Sequence, residues 1–346
     1  MMYIAPFMLG YAGWYAQEST RNILFYLPFQ QLFLIGPVIY FYLRSLLSPN
    51  QTNSTDLFYH FLPAILYNLA MLVVFVNDVV IQSDYYFYAD GKDMDLDPWY
   101  QWAGLFSMVA YLVLSINYYQ KYKRALYDSI SFADELVVNW VQHFLVAFLI
   151  VLLLRVLFFI LNPEWGEFGN KFWYYFCFSV LYIYIGFRGY IHALKIQLIA
   201  PNQFDDRVIV NQLLEFSATA DQVKLAEAKE QDDISQESKD DLVFLMSEKQ
   251  LFKNPQLSIS DIAEQIGTHP KQISTIVNKG FGVNFNDWVN QYRVQEVISH
   301  IDAGELETKT LLALAIDAGF NSKSTFNRAF KKQMGMSPNQ YVKSGD

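Results

Sequence analysis

A chain of 346 residues with 53% apolar residues has room for two or more domains, and the apolar residues cluster before residue 200. The net charge of −9 would exclude nucleic-acid binding only if it were evenly spread, and the acidic residues concentrate in 78–97 and 221–241. A single cysteine, Cys177, excludes an intramolecular disulfide and a cysteine cluster, so we expect no metal site and no cofactor.

Long apolar segments predict a transmembrane helical domain over residues 1–199. A bilayer core about 30 Å thick needs roughly 20 apolar residues per helix. Five segments without Asp or Glu meet this need: 23–43, 57–76, 99–118, 138–161 and 172–190. A sixth segment, 3–16, is short and interrupted by proline and glycine, so it is either a weak span or the remnant of a longer one. The chain start lacks the positive region of a signal peptide.

Basic residues near the segment ends predict the orientation in the membrane. They are Lys121, Lys123 and Arg124 after the third of the five segments, and Arg188 and Lys195 at the end of the last. Such residues are retained on the cytoplasmic side, and the two intervening segments return the chain to that side. We therefore expect a multi-pass protein of the bacterial cytoplasmic (inner) membrane, with loop 78–97 outside and residues 200–346 in the cytoplasm.

Polar side chains within the predicted spans allow two interpretations. They are Gln30, Gln31, His60, Asn68, His143 and Arg155. Either they line a binding site for a signal ligand or an ion path, or they form hydrogen bonds between helices, with Arg155 extending to the outer surface. The predicted spans contain no carboxylate, which argues against a transporter.

Residues 200–237 are predicted to be a charged linker, because acidic residues recur there without a sustained apolar pattern. As a coil, about 40 residues reach on the order of 35 Å, enough for a C-terminal domain to meet DNA beside the membrane. The apolar patch from Val208 to Phe216 predicts an amphipathic helix. It packs either on a second subunit, which gives a homodimer, or on the C-terminal domain.

Residues 238–346 contain two helix-turn-helix patterns. Each pattern needs a small residue where two helices cross, a glycine in the turn and apolar anchors on the second helix. In the first pattern Ala263 is the crossing residue and Gly267 forms the turn. Ser260 is expected to cap the first helix, and Pro270 to occupy the first turn of the second helix.

The second pattern repeats this plan, with Ala315 at the crossing, Gly319 in the turn, and a second helix capped by Ser322 and ended by Gly335. Between the patterns, the apolar periodicity of 284–303 predicts a long connecting helix. About 20 helical residues span roughly 30 Å, close to the roughly 34 Å that separates successive major-groove faces of B-DNA. One chain can therefore contact two adjacent major-groove segments.

The second pattern also carries a recognisable motif. It is Ala315-x-x-x-Gly319-Phe320-Asn321-Ser322-x-Ser324-x-Phe326-Asn327-Arg328-x-Phe330-Lys331-Lys332, followed by Gly335-Met336-Ser337-Pro338-x-x-Tyr341. This motif closely resembles the signature of AraC/XylS-type transcription regulators, and segments 257–263 and 285–293 resemble the same family's first unit and connecting helix. The resemblance covers about residues 238–344. It does not extend to the membrane half, although membrane-anchored members of that family have a similar layout.

The resemblance implies base-edge contacts from the exposed face of the second helix of each pattern. The residues are Lys271, Ser274 and Thr275 in the first pattern and Lys323, Ser324, Asn327 and Arg328 in the second. Arginine can contact guanine through two hydrogen bonds, and asparagine can do so with adenine. Lys331 and Lys332 are assigned to phosphate contacts, with a solvated surface as the alternative. Family members often carry longer side chains where Ser274 and Thr275 stand, so sequence recognition is expected to depend more on the second pattern.

These observations predict an all-α chain, with a multi-span transmembrane helical bundle followed by a cytoplasmic domain of two helix-turn-helix units. The predicted function is a sequence-specific, membrane-tethered transcription regulator whose partners are double-stranded DNA, the lipid bilayer, a second copy of the chain and a signal ligand. No catalytic residues are expected, because the five histidines are scattered and there is no phosphate-binding loop. The alternative is a membrane transporter or receptor whose helical tail contacts proteins.

Overall fold

The structure is a computed structural model that describes residues 5–47, 54–89, 94, 97–136, 139–161, 172–199 and 236–345. Within these ranges the secondary structure is helical, without strands, and one isolated β-bridge joins Ile130 to Ser258. The all-α prediction is confirmed. The chain divides into two compact units, one formed by Met1–Tyr119 with Asn139–Phe204 and the other by Gln120–Val138 with Asp205–Asp346. Most of the predicted linker, including the patch from Val208 to Phe216, lies outside the described residues.

Among the residues that the structure describes, eight helices precede the C-terminal part of the chain. They are α1 (Ala5–Tyr11), α2 (Glu18–Tyr26), α3 (Leu32–Leu47), α4 (Ser54–Phe75), α5 (Pro98–Ser129), α6 (Ala133–Leu136), α7 (Asn139–Arg155) and α8 (Phe172–Ile199). Wider π-helical turns extend α4 to Gln82 and α7 to Leu161. The end of α5 and all of α6 belong to the second unit.

Three helices are long and apolar enough to cross a membrane, judged by length and composition among the described residues. They are Thr55–Gln82, Pro98–Ser129 and Val141–Phe158, and Leu32–Leu47 is a shorter apolar helix. These three overlap the spans predicted at 57–76, 99–118 and 138–161. The span predicted at 172–190 lies in helix α8, which is not among the three candidates.

The span predicted at 23–43 is wrong as a single helix. Helix α2 ends at Tyr26 and helix α3 begins at Leu32. Leu27 has an extended backbone (φ −91°, ψ 114°) because the ring of Pro28 disfavours the helical conformation in the residue before it. The Tyr100 hydroxyl accepts a hydrogen bond from the Leu32 backbone N–H at 3.1 Å, so the start of α3 has a side-chain partner.

Hydrogen bonds between distant parts of the first unit account for most of the polar residues in the predicted spans. The Gln31 and Asn68 amides bond to each other at 3.2 and 3.1 Å, and His60 Nδ1 lies 2.8 Å from the Tyr111 hydroxyl. Gln101 donates to the Gln30 side chain at 3.1 Å. The expectation that Arg155 extends to the surface is wrong: its side chain is buried, where it hydrogen-bonds to Gln101.

One carboxylate lies closer to the apolar helices than the sequence suggested. Helix α4 continues as a π-helical turn over Val76–Gln82, so Asp78 is part of the helical stretch and not of an external loop. Its side chain is buried and accepts hydrogen bonds from the Tyr26 hydroxyl at 3.0 Å and the Phe87 backbone N–H at 3.1 Å. The helix thus runs on past the predicted span, and its carboxylate is held by neighbouring donors.

Seven helices follow within the described range 236–345. They are α9 (Gln236–Ser247), α10 (Ile259–Ile266), α11 (Pro270–Thr275), α12 (Phe285–Asp302), α13 (Leu311–Asp317), α14 (Lys323–Met334) and α15 (Pro338–Gly345). A π-helical turn, Ile276–Phe281, continues α11, and short 3-10 turns occupy Leu251–Lys253 and Glu305–Glu307. Helix α12 is the connecting helix predicted over 284–303.

Helix α12 contributes to two hydrophobic cores. Its first turns place Phe285, Trp288 and Val289 among the buried residues of α9, α10 and α11. Its later turns place Val294, Val297 and Ile298 against the buried faces of α13 and α14. We call residues 236–289 the first subdomain and residues 294–345 the second subdomain. Each subdomain contains one of the two predicted helix-turn-helix patterns.

Candidate nucleic-acid interface

The first subdomain begins its helix pair with a capping box. The Ser258 hydroxyl accepts a hydrogen bond from the Asp261 backbone N–H at 3.3 Å, and the Asp261 carboxylate accepts one from the Ser258 backbone N–H at 2.7 Å. Ser260 was predicted as the cap, and that is wrong: it lies inside helix α10. The Ser-x-x-Asp spacing decides the position, because it satisfies two backbone donors reciprocally.

The crossing and turn of the first pattern lie at Ala263 and Gly267. Ala263 is buried in the first core, and Gly267 ends helix α10 in the left-handed conformation with φ +76°. Helix α11 then starts at Pro270, whose fixed φ suits a first helical turn. Helix α11 has only six residues before the backbone widens into the π-helical turn Ile276–Phe281.

The three polar residues predicted to contact bases from helix α11 are half-buried. The Thr275 hydroxyl donates to the Lys271 backbone carbonyl at 2.9 Å. The Ser274 hydroxyl accepts a hydrogen bond from the Asn278 side chain at 3.2 Å. These short hydroxyl side chains already have partners within their own helix, which reduces what they offer to a ligand.

In the second pattern Ala315 is fully buried and Gly319 forms the turn with φ +96°. Ser322 caps helix α14, as predicted, by accepting a hydrogen bond from the Thr325 backbone N–H at 3.2 Å. Gly335 ends the helix in the left-handed conformation with φ +74°. Helix α14 is therefore a regular helix of twelve residues with a side-chain cap at its start and a glycine at its end.

The turn of the second pattern packs closely on the first subdomain. A Cβ atom added to Gly319 would lie 2.5 Å from the Phe252 carbonyl oxygen, which is too close for any side chain. Two residues later, the Asn321 amide donates to the Pro255 carbonyl at 2.9 Å. The stretch from Phe252 to Pro255 thus fixes the second turn against the first subdomain.

Helix α14 has one apolar face in the core and one polar face outside. Thr325, Phe326, Ala329 and Phe330 are buried. The exposed side chains are those of Lys323, Ser324, Asn327, Arg328, Lys331, Lys332 and Gln333. All of the residues predicted to contact bases or phosphates in the second pattern therefore lie on the exposed face of helix α14.

Two of these cations already have acidic partners. Lys332 Nζ lies 2.6 Å from the Asp287 carboxylate at the start of helix α12. Arg328 forms an ion pair with Asp134 and donates a hydrogen bond to the Tyr127 hydroxyl at 3.2 Å. Tyr127 and Asp134 come from the part of the chain between two predicted spans, which belongs to the same compact unit as helix α14.

A buried arginine fastens this same part of the chain to the subdomains. Arg293 of helix α12 donates to the Phe252 carbonyl at 2.8 Å, the Asn254 carbonyl at 2.7 Å and the Ser131 hydroxyl at 3.0 Å. The Asn286 amide donates to the Ser131 carbonyl at 2.7 Å. Burial also raises the pKa of the Tyr292 hydroxyl, the residue before Arg293.

A groove of about 760 Å³ runs beside the exposed face of helix α14. Lys123 and Tyr127 line one part of it, and Arg328 and Lys332 line another. Among the described residues, no group of three or more His, Cys, Asp and Glu side chains is placed to hold a metal ion. Asp287 and apolar side chains such as Val283 also line the groove, so its cations lie beside carboxylate and apolar surface.

The sequence analysis missed Tyr127, Ser131 and Asp134. They stand between two apolar segments, where a short run of polar residues is expected whatever it contacts. Their partners on helices α12 and α14 lie more than 150 residues away along the chain, at separations of 162 residues for Ser131–Arg293 and 201 for Tyr127–Arg328. No local pattern indicated these contacts.

Comparison with known proteins places the C-terminal part in a family. A family model described as "Helix-turn-helix domain" matches residues 249–344. The melibiose operon regulatory protein of Escherichia coli (strain K12) is 33% identical over 88 residues, which are 25% of this chain and 28% of that protein. The probable transcription factor PqrA of Proteus vulgaris is 26% identical over 98 residues, which are 28% of this chain and 78% of that protein. No solved structure matches significantly.

Residues 249–344 are therefore a helix-turn-helix domain of the AraC type. The chain spans just over a quarter of the length of the melibiose regulator. This domain contains helices α10 to α15, with one predicted helix-turn-helix pattern on each side of the connecting helix α12.

Proposed function

We propose that this chain is a sequence-specific DNA-binding transcription regulator that is tethered to the cytoplasmic membrane. The observation that carries the proposal is the exposed face of helix α14. A helix-turn-helix domain inserts its second helix into the major groove, and this helix presents amide and guanidinium groups outside a fully packed core. The two relatives are named a regulatory protein and a probable transcription factor, which supports the same function here.

The exposed side chains of helix α14 divide by chemistry into two roles. Asn327 and Arg328 have the donor geometry that adenine and guanine edges accept, so they are assigned to bases together with Lys323 and Ser324. Lys331 and Lys332 lie in the last turn and are assigned to phosphates. Lys271, Ser274 and Thr275 of helix α11 are assigned to weaker base contacts, because they are half-buried.

Exposed apolar surface supports the tether. Only 22% of the most apolar window of Thr55–Gln82 is buried within the structure, and Val73 and Phe106 are 66% and 77% exposed. Water would make such a surface costly, whereas lipid chains cover it without penalty. The two units would then lie in different solvents, the first in lipid and the second in water.

The membership of residues 120–138 in the second unit supports the proposed orientation. This segment follows the span predicted at 99–118 and packs with the helix-turn-helix domain. Both must therefore lie on one side of the bilayer, which is the cytoplasmic side if the basic residues after the span obey the usual bias. Dimerisation and a signal ligand remain proposals that rest on the sequence alone.

Binding measurements on the full chain in lipid nanodiscs test the DNA part. Arg328→Ala is expected to reduce the preference for one base pair by about 1–3 kcal/mol, measured as the affinity ratio between two duplexes that differ at that pair. Lys331→Ala is expected to weaken all duplexes alike and to lower the salt slope by about 1. Lys249→Ala, an exposed lysine outside both second helices, is the charge-matched control. Binding that is absent at low salt in every variant contradicts DNA recognition.

Topology reporters test the tether. A reporter fused after Lys123 is expected to be cytoplasmic and one fused near Asp95 external, since the basic residues follow the span that separates them. Two reporters on the same side would contradict the proposed span between them.

A further inference from the structure

The segment 120–136, which we call the docking segment, is held on the helix-turn-helix domain by buried contacts. Ile130, Ser131 and Ala133 are fully buried. The Ser131 backbone N–H donates to the Leu257 carbonyl at 3.0 Å, next to the bridge between Ile130 and Ser258. With the bonds from Asn286 and Arg293, every polar backbone and side-chain group of Ser131 has a partner on the domain. Buried and fully bonded contacts of this kind mark a built interface.

From this anchor, the docking segment presents two acceptors to Arg328. Nη1 of Arg328 donates to the Tyr127 hydroxyl, and Nη2 pairs with Oδ2 of Asp134. The Tyr127 hydroxyl in turn donates to the other oxygen of the Asp134 carboxylate at 2.5 Å. The Arg328 guanidinium carbon also lies 5.9 Å from the centre of the Tyr127 ring. The guanidinium thus has two adjacent oxygen acceptors and an aromatic neighbour.

These are the interactions that a guanidinium makes with a guanine edge. Guanine offers two neighbouring acceptors, O6 and N7, to the two terminal nitrogens of an arginine. Arg328 cannot satisfy both sets of acceptors with the same nitrogens. The Asp134 side chain is only 7% exposed, so its charge is held in place and would also repel an approaching phosphate.

We propose that the docking segment is an autoinhibitory element, in which Asp134 and Tyr127 occupy Arg328 and compete with DNA for it. The proposal rests on the proposed DNA-binding function, whose regulation it describes. The apparent affinity for DNA falls in proportion to the fraction of molecules with Arg328 released, so a segment docked in about 90% of molecules lowers affinity about tenfold.

The position of the docking segment in the chain links it to the membrane half. Helix α5 runs from the span predicted at 99–118 into the segment without a break, and the span predicted at 138–161 follows the segment closely. A displacement of either span therefore pulls directly on Tyr127 or Asp134. A signal in the membrane half needs no movement of the 200–237 linker to release Arg328.

Asp134→Asn in the full chain, in lipid nanodiscs, tests the proposal. The variant keeps the shape of the side chain but removes its charge, and it should bind a duplex selected from a random library about 3- to 30-fold more tightly than the wild-type chain. Asp302→Asn makes the same charge change at an exposed position of the same unit and is expected to leave affinity unchanged. Tyr127→Phe removes only the hydroxyl and is expected to act in the same direction as Asp134→Asn, by less.

The outcomes separate this proposal from the one on which it rests. If the wild-type chain binds DNA and Asp134→Asn binds no more tightly than Asp302→Asn, autoinhibition is wrong while DNA binding stands. If no variant binds duplex DNA at low salt, the DNA-binding function itself is wrong. Adding Arg328→Ala to Asp134→Asn should abolish the gain, because the released group is then missing. A gain that persists in this double variant contradicts the role given to Arg328, and hydrogen exchange over helix α14 verifies that each variant is folded.

Discussion

The two subdomains follow one backbone plan but present different surfaces. Both place a buried alanine at the helix crossing and a left-handed glycine in the turn. Helix α11 is short and three of its polar side chains, Lys271, Ser274 and Thr275, are half-buried, whereas helix α14 has twelve residues and an exposed polar face. The difference teaches that the helix-turn-helix plan does not by itself make a DNA-reading surface. In this chain the second helix has the more exposed polar face in the second subdomain, where two of its cations, Arg328 and Lys332, pair with Asp134 and Asp287.

The two turn glycines are required for different reasons. At Gly267 no neighbouring atom lies within 4 Å of an added Cβ, so only the positive φ favours glycine. At Gly319 the Phe252 carbonyl oxygen blocks the Cβ as well. The first turn is thus a local requirement, and the second is also a contact between subdomains.

The largest loss of local stability is expected from Gly319→Ala, and Gly267→Ala is the matched comparison in the first subdomain. The first substitution combines backbone strain with overlap against backbone atoms, and should lower the local stability by about 2–4 kcal/mol. The second adds strain alone and should cost about 1 kcal/mol. Hydrogen exchange of α13 and α14 against that of α10, in the full chain, measures both. Equal losses of stability in the two variants would show that the Phe252 carbonyl moves away from the added methyl group at little cost.

Local patterns predicted the elements that depend on short separations along the chain. The turns at Gly267 and Gly319, the cap at Ser322 and the connecting helix all follow from spacing within a few residues. The cap at Ser258 was missed because two serines are adjacent to the helix start, and only the reciprocal bond with Asp261 selects between them. Contacts of the docking segment could not be predicted, because an exposed arginine has the same local sequence whether it faces DNA or a carboxylate.

A second comparison concerns equivalent positions on the two second helices. Ser274 follows the buried anchor Ile273, as Asn327 follows Phe326. Asn327→Ala is expected to cost about 1–3 kcal/mol of specific DNA binding, because it removes an exposed amide suited to adenine. Ser274→Ala is expected to cost less than about 0.5 kcal/mol, since the hydroxyl is half-buried and bonded to Asn278. Affinities of the full chain for a selected duplex measure both, and a larger loss for Ser274→Ala would reverse the ranking of the subdomains.

A smaller difference in stability is expected between the N-terminal caps of helices α11 and α14, with the larger loss in the second subdomain. Ser322 caps helix α14 with a side-chain hydrogen bond, whereas His269, at the start of helix α11, makes no such bond. Ser322→Ala is therefore expected to destabilise the second subdomain by about 1 kcal/mol, and His269→Ala to leave the first nearly unchanged. Hydrogen exchange of the first turns of both helices measures the effect. A clear loss for His269→Ala would mean that its ring stabilises the helix in another way.

The smallest effect is a pH dependence confined to the second subdomain. The Glu305 carboxylate lies 2.5 Å from His300 Nδ1 and 3.4 Å from Lys309 Nζ. The hydrogen bond to His300 lowers the pKa of Glu305 below its usual 4.5; desolvation opposes it, and the attraction of His300 and then the contacts of Lys309 add to it. A carboxyl group whose pKa is lower in the folded state stabilises that state fully above its unfolded pKa, and this contribution is lost as pH falls through the folded value. The second subdomain should therefore lose a little stability below about pH 4.5. Glu305→Gln should remove this dependence, and Glu307→Gln, an exposed control in the same turn, should keep it. Hydrogen exchange at several pH values measures the stability of the second subdomain. If Glu305→Gln still loses stability at acid pH as the wild-type chain does, the assignment to Glu305 is contradicted.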